Sequence, residues 1–243
     1  MELNLQKQAS KFWEEGFLAI EDFFSASTMS IVDRKIRAYF GDNPEYRHEK
    51  EFLVRSKTEV IPWFPQNTDM PDYSPDAAGV FDQLEQDPRL VELTGTLLGD
   101  EWSTLYSMVM FSRKGTAGQA WHQDCPPEDA SRFNLNRLVY TRTPAANEGG
   151  QVVVMPGSHK MGLLPVGDTH EDLEEQVVIR PRAGMLVLLH GHTWHRVMPI
   201  NENHRFSTNF RACPAGTPSN ITDVCVYRNM RYRFSTAEVI EER

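Results

Sequence analysis

Two side chains with the chemistry of metal ligands stand two positions apart in the segment Trp121-His122-Gln123-Asp124. On a β-strand, residues i and i+2 project to the same face, so a strand here would aim His122 and Asp124 together and turn Gln123 away. A neutral imidazole and a carboxylate side by side suit a divalent cation. Further histidines, His190, His192, His195 and His204, crowd into the segment 190–206. Two histidines and one carboxylate on one face of an octahedron leave three positions open, the pattern of non-haem Fe(II) oxygenases. On its own the H-x-D pair is a common accident, since a capping aspartate beside a packed histidine spells the same letters. The cluster His190, His192 and His195 could equally hold an ion by itself, although a strand cannot turn all three inward.

The elements that must position these groups fall into two halves. Leu5, Ala9, Phe12 and Trp13 repeat with helical spacing up to Gly16, and Val32, Ile36, Tyr39 and Phe40 do so up to Gly41. Ser74-Pro75 and Asp87-Pro88 each read as an N-cap followed by proline at the first helical position, with Gly99 closing the second helix. The run 17–24 reads as a strand, and residues 42–73 form a long polar and aromatic excursion with the character of a lid, in which Trp63 and Phe64 either cap a pocket or join the core. From 102 onward, short β-rich runs at 103–112, 136–143, 149–158, 175–181, 184–191 and 204–213 are separated by Gly, Pro, Asn and Asp. The expectation is one mainly β domain, a jelly roll over 102–213, with a helical N-terminal layer over 1–101 and a C-terminal extension over 214–243. On the strand 134–142, Asn134, Asn136, Leu138, Tyr140 and Arg142 share one face; if Tyr140 faces the metal, Asn136 and Arg142 line a polar pocket.

The composition bounds the partners. With 243 residues, 40% of them hydrophobic, the chain can build one substantial core. A formal charge of −9 without any Lys/Arg-rich run argues against nucleic acid, and no apolar run is long enough to span a bilayer. Three scattered cysteines, Cys125, Cys213 and Cys225, imply reduced thiols and a cytoplasmic setting. The sequence leaves the oligomeric state open.

The chain resembles the phytanoyl-CoA dioxygenase (PhyH-like) family of Fe(II)/2-oxoglutarate-dependent oxygenases. The resemblance is carried by WHQD at 121–124, NEGGQVVVMPGSHK at 147–160 and RAGMLVLLHGHTWHRVMPIN at 182–201, together with FWEEGFLAIEDFFS near the N-terminus and DPRLVELTGTLLGDEW at 87–102. It implies a double-stranded β-helix (jelly roll, cupin-like) that uses Fe(II), 2-oxoglutarate and O2 to oxidise, most simply to hydroxylate, a small organic molecule, with 2-oxoglutarate going to succinate and CO2. It also implies His122, Asp124 and His195 as metal ligands, and Arg205, ten residues after His195, as the anchor of the distal carboxylate of 2-oxoglutarate, with Arg211 in reserve. A guanidinium fork suits that task because it is planar and permanently charged. Two departures from the family pattern stand out. Val197 occupies a position where relatives often carry a hydroxyl, which turns attention to Ser207, and Tyr140 stands where several relatives have Trp. Gln119 is a further residue within reach of the co-substrate. The resemblance picks only His195 of the histidine cluster, which leaves His190 and His192 to packing or to support of the ligands from behind, and His159 in the PGSHK corner reads as stabilising a turn. Radical halogenases similar to this family lack the carboxylate, so Asp124 favours hydroxylation, desaturation or ring chemistry. The alternatives are a peptide hydroxylase on the same scaffold and a cupin-like binding protein without turnover.

Overall fold

The computed structural model describes residues 4–41, 60–63, 75–234 and 239–242. The chain opens with α1 (Leu5–Glu15), whose Asn4 cap accepts a hydrogen bond from the Lys7 amide; Gly16 ends it in a left-handed conformation at φ 78°. Strand β1 (Phe17–Ile20) is shorter than the expected 17–24 because the chain turns at Asp22, where φ is 53°. Helix α2 (Ala26–Phe40) follows the Ser25 cap. Strand β2 (Val60–Trp63) falls within the expected excursion 42–73, and the remainder of that excursion, Phe64 included, lies outside the described residues. Helices α3 (Pro75–Glu85) and α4 (Pro88–Leu98) begin at the two prolines, and the Asp87 carboxylate caps α4 by accepting from the Arg89 amide at 2.9 Å.

The remaining strands build two antiparallel sheets. They are β3 (Ser103–Ser112), β4 (Gln119–Gln123), β5 (Leu135–Val139), β6 (Val152–Val154), β7 (Val177–Ile179), β8 (Leu186–His190), β9 (His195–Val197), β10 (Arg205–Cys213), β11 (Val224–Tyr227), β12 (Met230–Phe234) and β13 (Val239–Glu242). One sheet has the order β1-β8-β5-β10-β3-β2 and the other β13-β12-β11-β4-β9-β6-β7, so the chain alternates between sheets from β3 to β6 and again from β7 to β11, as in a double-stranded β-helix. The sheets extend beyond 102–213: β1 covers the edge at β8, and β11 from the C-terminal segment pairs with β4. Strand β6 is confined to three residues because Gly149 and Gly150, at φ 75° and 73°, precede it, and a turn into the 3-10 helix Ser158–Lys160 follows. Among the described residues no helix is long and apolar enough to cross a membrane.

Two layers of apolar packing hold this frame. The outer face of the six-stranded sheet carries Leu135, Val139, Leu186, Leu188 and Phe210 against Phe12, Met29, Val32, Ile36, Leu90 and Leu93 of the helices. The inner layer, between the sheets, holds Leu138, Val152, Val154, Val187, Leu189 and Val197. Each such side chain contributes about 1.5–3 kcal/mol on burial. The alternation read for the 134–142 strand is therefore real: Leu138 and Tyr140 face the interior, while Leu135 and Val139 face the helices. Arg137 also faces the helices, fully buried, and each of its nitrogens is satisfied: Nε by the Phe210 carbonyl (2.8 Å), Nη1 by Thr94 Oγ1 (3.3 Å) and Nη2 by Glu85 Oε1 (2.8 Å).

Candidate active site

Strand β4 carries the first two candidate ligands, and its register fixes where they point. His122 lies opposite His195 of β9, and Gln119 lies opposite Val197. Three residue steps on β4 thus match two on β9, a bulge that brings Gln119 and His122 onto the same inner face despite their odd separation. Beyond the bulge the alternation is regular. Trp121 packs outward against Val153 and Trp194, and Gln123 bonds outward to the carbonyls of Gly162 and His192 and the amide of Leu164. Asp124 follows on the inner face, with its amide donating to the Gly191 carbonyl at 2.8 Å.

His122, Asp124 and His195 converge, each offering one ligand atom within 4.8 Å of the others. His122 Nε2 lies 3.7 Å from Asp124 Oδ1, and His195 Nε2 lies 3.6 Å from Asp124 Oδ2. The other ring nitrogens settle the tautomers. His122 Nδ1 faces the Ala120 carbonyl at 2.8 Å, and His195 Nδ1 faces the Thr193 carbonyl at 2.9 Å. A carbonyl only accepts, so each Nδ1 carries the proton and each Nε2 presents its lone pair to the centre, the orientation a metal requires. Burial, then the neighbouring His195, pushes the His122 imidazole down to about 3, so it is neutral at physiological pH. For Asp124, burial opposes ionisation, but Arg211 first, then His195, His122 and the Asn136 hydrogen bond hold the carboxyl well below the usual range.

A buried relay orients that carboxylate. Asn136 Nδ2 donates to Asp124 Oδ2 at 2.7 Å, Asn209 Nδ2 donates to Asn136 Oδ1 at 2.7 Å, and the Arg137 amide donates to Asn209 Oδ1 at 3.1 Å. Arg211 Nη2 lies 3.2 Å from Asp124 Oδ1. Asn136 was legible as a residue lining a polar pocket; Asn209 was not, and its signal is the i+2 series Arg205, Ser207, Asn209, Arg211 on one strand.

That series lines the interior on β10, opposite β5. Arg211 pairs with Asn136, Asn209 with Leu138 and Thr208 with Val139, a register that carries Tyr140 alongside Ser207. At the far end from Asp124, Arg205 donates through Nε to the Gly150 carbonyl at 2.9 Å, and its guanidinium lies against the Tyr140 phenol. Burial raises the Tyr140 hydroxyl above its ordinary range and Arg205 opposes the rise. Tyr140 Oη, with the Arg205 guanidinium beside it, and Ser207 Oγ are both buried, and neither O–H finds an acceptor. Orphaned donors beside a guanidinium form a cradle for a carboxylate, so the residues present fit the distal end of 2-oxoglutarate. Val197 sits in the apolar inner layer and supplies no polar group. Arg142 pairs with Glu148, and both line a recess that Tyr140, Gly150 and Arg205 also border and that His122, Asp124 and His195 do not.

His190, His192 and His159 serve packing. The His190 ring stacks on Phe133 with centroids 3.9 Å apart, and its Nδ1 accepts from the His192 amide. His192 Nε2 faces the Arg132 carbonyl, and His159 Nε2 faces the Trp13 carbonyl, tying the 158–160 turn to α1. Ser158 Oγ accepts from the Trp194 amide at 2.8 Å, so the PGS corner steadies the approach to His195. The three cysteines are free and buried.

Fold and site together define a double-stranded β-helix protein with two imidazoles and one carboxylate gathered at its interior, a set able to hold a divalent metal. Residues 12–201 match the family model described as phytanoyl-CoA dioxygenase (PhyH), and the chain belongs to that family. It is 26% identical over 175 residues to an ectoine dioxygenase from Sphingopyxis alaskensis, a match covering 68% of this chain and 53% of that protein. The chain thus spans about half the length of that curated relative. Among solved structures, the non-heme alpha-ketoglutarate-dependent epimerase SnoN from nogalamycin biosynthesis superposes with a TM-score of 0.64 at 17% identity, covering 96% of this chain and 86% of that one. HygX from Streptomyces hygroscopicus, with nickel, 2-oxoglutarate and hygromycin B bound, gives 0.64 at 18% identity, covering 87% of this chain and 88% of that one. These likenesses bear out the double-stranded β-helix and the family expected from the sequence.

Proposed function

We propose that this protein is an Fe(II)/2-oxoglutarate-dependent dioxygenase that hydroxylates a small organic molecule. The observation that carries the reading is the pairing, in one interior, of the His122–Asp124–His195 cluster with the orphaned Tyr140 and Ser207 hydroxyls beside Arg205. His122, Asp124 and His195 would hold the iron through Nε2, one carboxylate oxygen and Nε2. Arg205, Tyr140 and Ser207 would receive the distal carboxylate of 2-oxoglutarate, and Gln119, on the same inner face as His122, would border the co-substrate. Fe(II), with 2-oxoglutarate and O2, supplies the oxidising power, releasing succinate and CO2. The protein's own part is orientation and exclusion of water. The Asn209–Asn136 relay holds Asp124 for ligation, and the Val152, Val154, Val187 and Leu189 walls keep the interior dry. Asp124 fills the position that a halide would need, which supports hydroxylation over halogenation. The ligand side chains keep only 4, 7 and 8% exposure for His122, Asp124 and His195, which supports a small molecule over an extended peptide. The relatives point the same way: one is named for ectoine, and HygX was solved with hygromycin B.

The test is an anaerobic titration of Fe(II) and then 2-oxoglutarate, followed by visible absorption, with succinate measured after air is admitted. A 2-oxoglutarate-dependent charge-transfer band and succinate release are expected, both abolished in His122→Ala, Asp124→Ala and His195→Ala. Metal binding with neither band nor succinate would identify a binding protein instead.

A further inference from the structure

A row of side chains crosses the adjacent strands β9, β4 and β11, and two of its members are candidate ligands. His195 of β9 stands opposite His122 of β4, and His122 stands opposite Tyr227 of β11. The rings follow that register. The His122 imidazole has the His195 ring on one side, with centroids 4.0 Å apart, and the Tyr227 ring on the other, at 5.0 Å. Tyr227 lies almost parallel to the imidazole, the planes meeting at 15°, whereas His195 is tilted by 46°. Neighbouring strands lie about 4.8 Å apart, so a parallel stack at this spacing is what direct cross-strand pairing delivers.

Tyr227 is held in that place by the residues after it. The ladder runs on past it, with the Arg228 amide donating to the Trp121 carbonyl at 3.0 Å. The buried Arg228 side chain donates through Nε to the Pro165 carbonyl (2.9 Å) and through Nη1 to the Asp168 carbonyl (2.7 Å) and Glu171 Oε1 (2.6 Å). Asn229 Nδ2 donates to the Gly167 carbonyl at 3.0 Å, and its Oδ1 accepts from the Gly167 amide at 3.2 Å. Trp121 is bound to the same segment, its amide donating to the Thr169 carbonyl and its indole to the Glu171 carbonyl, both at 2.8 Å. Residues 165–171 therefore tie the neighbour of His122 to the neighbours of Tyr227, and the two rings cannot slide apart without breaking that tie.

His122 needs such a restraint. Its Nδ1 hydrogen bond to the Ala120 carbonyl fixes the tautomer, but the Cβ–Cγ torsion of a histidine is broad and one bond leaves the ring plane free to swing. On the β9 side the strand is irregular, because the bulge falls between Gln119 and His122. A ring lying flat at 5.0 Å closes that freedom, since turning the imidazole drives its edge into the Tyr227 face. We infer that Tyr227 is a positioning residue of the metal centre, whose ring keeps the His122 imidazole in the plane that presents Nε2 to the ion. The inference rests on the metal site of the proposed function and adds to it a residue of β11, beyond the stretch 12–201 that carries the family match.

The test uses the full chain, titrated with Co(II) by calorimetry and followed by the cobalt d–d absorption. Tyr227→Ile removes the ring but keeps apolar bulk and suits a strand; its Co(II) Kd should rise roughly 10- to 100-fold and its d–d bands should shift. Tyr227→Phe keeps the stacked ring and should stay close to the native protein in both readouts. Val226→Ala, on the other face of β11 opposite Gln123, should lower the melting temperature and leave the Co(II) Kd in place. Tyr227→Leu should repeat the loss and covers the case in which Tyr227→Ile does not fold. A native-like Kd and spectrum without the ring overturns the inference, and so does a Tyr227→Phe protein as weak as Tyr227→Ile. An equal loss in Val226→Ala also overturns it, since the effect would then be one of strand docking. Failure of the native protein to bind Co(II) counts instead against the proposed function. The inference is then read on the metal-free protein by nuclear magnetic resonance: the His122 Nδ1–H signal should be protected in the native and Tyr227→Phe proteins and exchange rapidly without the ring, and equal protection in all of them overturns it.

Discussion

Replacing Arg205 by alanine should strip the distal carboxylate of 2-oxoglutarate of its charged partner while leaving the metal ligands in place. Losing one member of a desolvated, hydrogen-bonded charge pair costs about 2–5 kcal/mol. Arg205 is only partly buried and lies at a recess open to solvent, which places it in the lower half of that range, about 2–3 kcal/mol. At about 1.4 kcal/mol per decade, the 2-oxoglutarate Kd should rise roughly 30- to 140-fold. The remaining hydroxyls of Tyr140 and Ser207 set a floor, since they still offer two donors. Calorimetric titration of 2-oxoglutarate into Mn(II)-loaded protein measures the change, with Mn(II) affinity measured separately and expected to stay near normal. Arg205→Lys should recover part of the loss, because an ammonium keeps the charge without the fork. Near-normal 2-oxoglutarate affinity in Arg205→Ala together with collapse in Arg211→Ala would move the anchor to Arg211 and refute the division of labour between the two ends of β10.

Three further outcomes are expected. Gly150→Ala would set a Cβ 2.8 Å from Arg205 Cδ and 2.9 Å from Ile200 Cδ1 at a φ of 73°, so 2-oxoglutarate affinity should fall by roughly tenfold or more with metal affinity intact. Asn136→Ala removes the 2.7 Å donor to Asp124 Oδ2 and should weaken Co(II) binding about 10- to 100-fold, read by the cobalt spectrum. Burial holds His190 well below its ordinary value, so the unfolded chain takes up a proton that the folded chain refuses as pH falls below about 6.5, and stability is lost in that direction. In denaturant titrations of metal-free protein between pH 7 and 5, His190→Gln should flatten this loss by up to about 1.4 kcal/mol per pH unit; an unchanged slope would show that His190 takes no part.

Much of the site could be read from local pattern. The period of two on a strand places His122 with Asp124, and the same period sorts Leu138 and Tyr140 from Leu135 and Val139. Helix ends at Gly16, Gly41 and Gly99, and the start at Pro88 behind the Asp87 cap, follow from capping chemistry that acts within a few residues; Ser74, the cap expected before Pro75, lies outside the described residues. Long-range register was not legible. No local signal announces the bulge that turns Gln119 and His122 to one face, nor that β11 would pair with β4 from the C-terminal segment. For the same reason the sequence left Arg205 and Arg211 as competitors for one task. Only the pairing of β10 with β5 sends one toward Tyr140 and the other toward Asn136 and Asp124.

The face-to-face register of His122 and His195 also governs when the centre comes into being as the chain folds. The two rings belong to strands far apart in sequence, and closing a loop of that length must precede any reward from the contact, so the site assembles late. A divalent ion then has little to grip in the unfolded ensemble and acts almost wholly on the finished molecule. By mass action, free metal at 100 times its Kd would add about 2.7 kcal/mol to the unfolding free energy. Chelators in a purification buffer should therefore lower the melting temperature, and growth in iron-poor medium should lower the yield of folded protein, without any change in the chain itself.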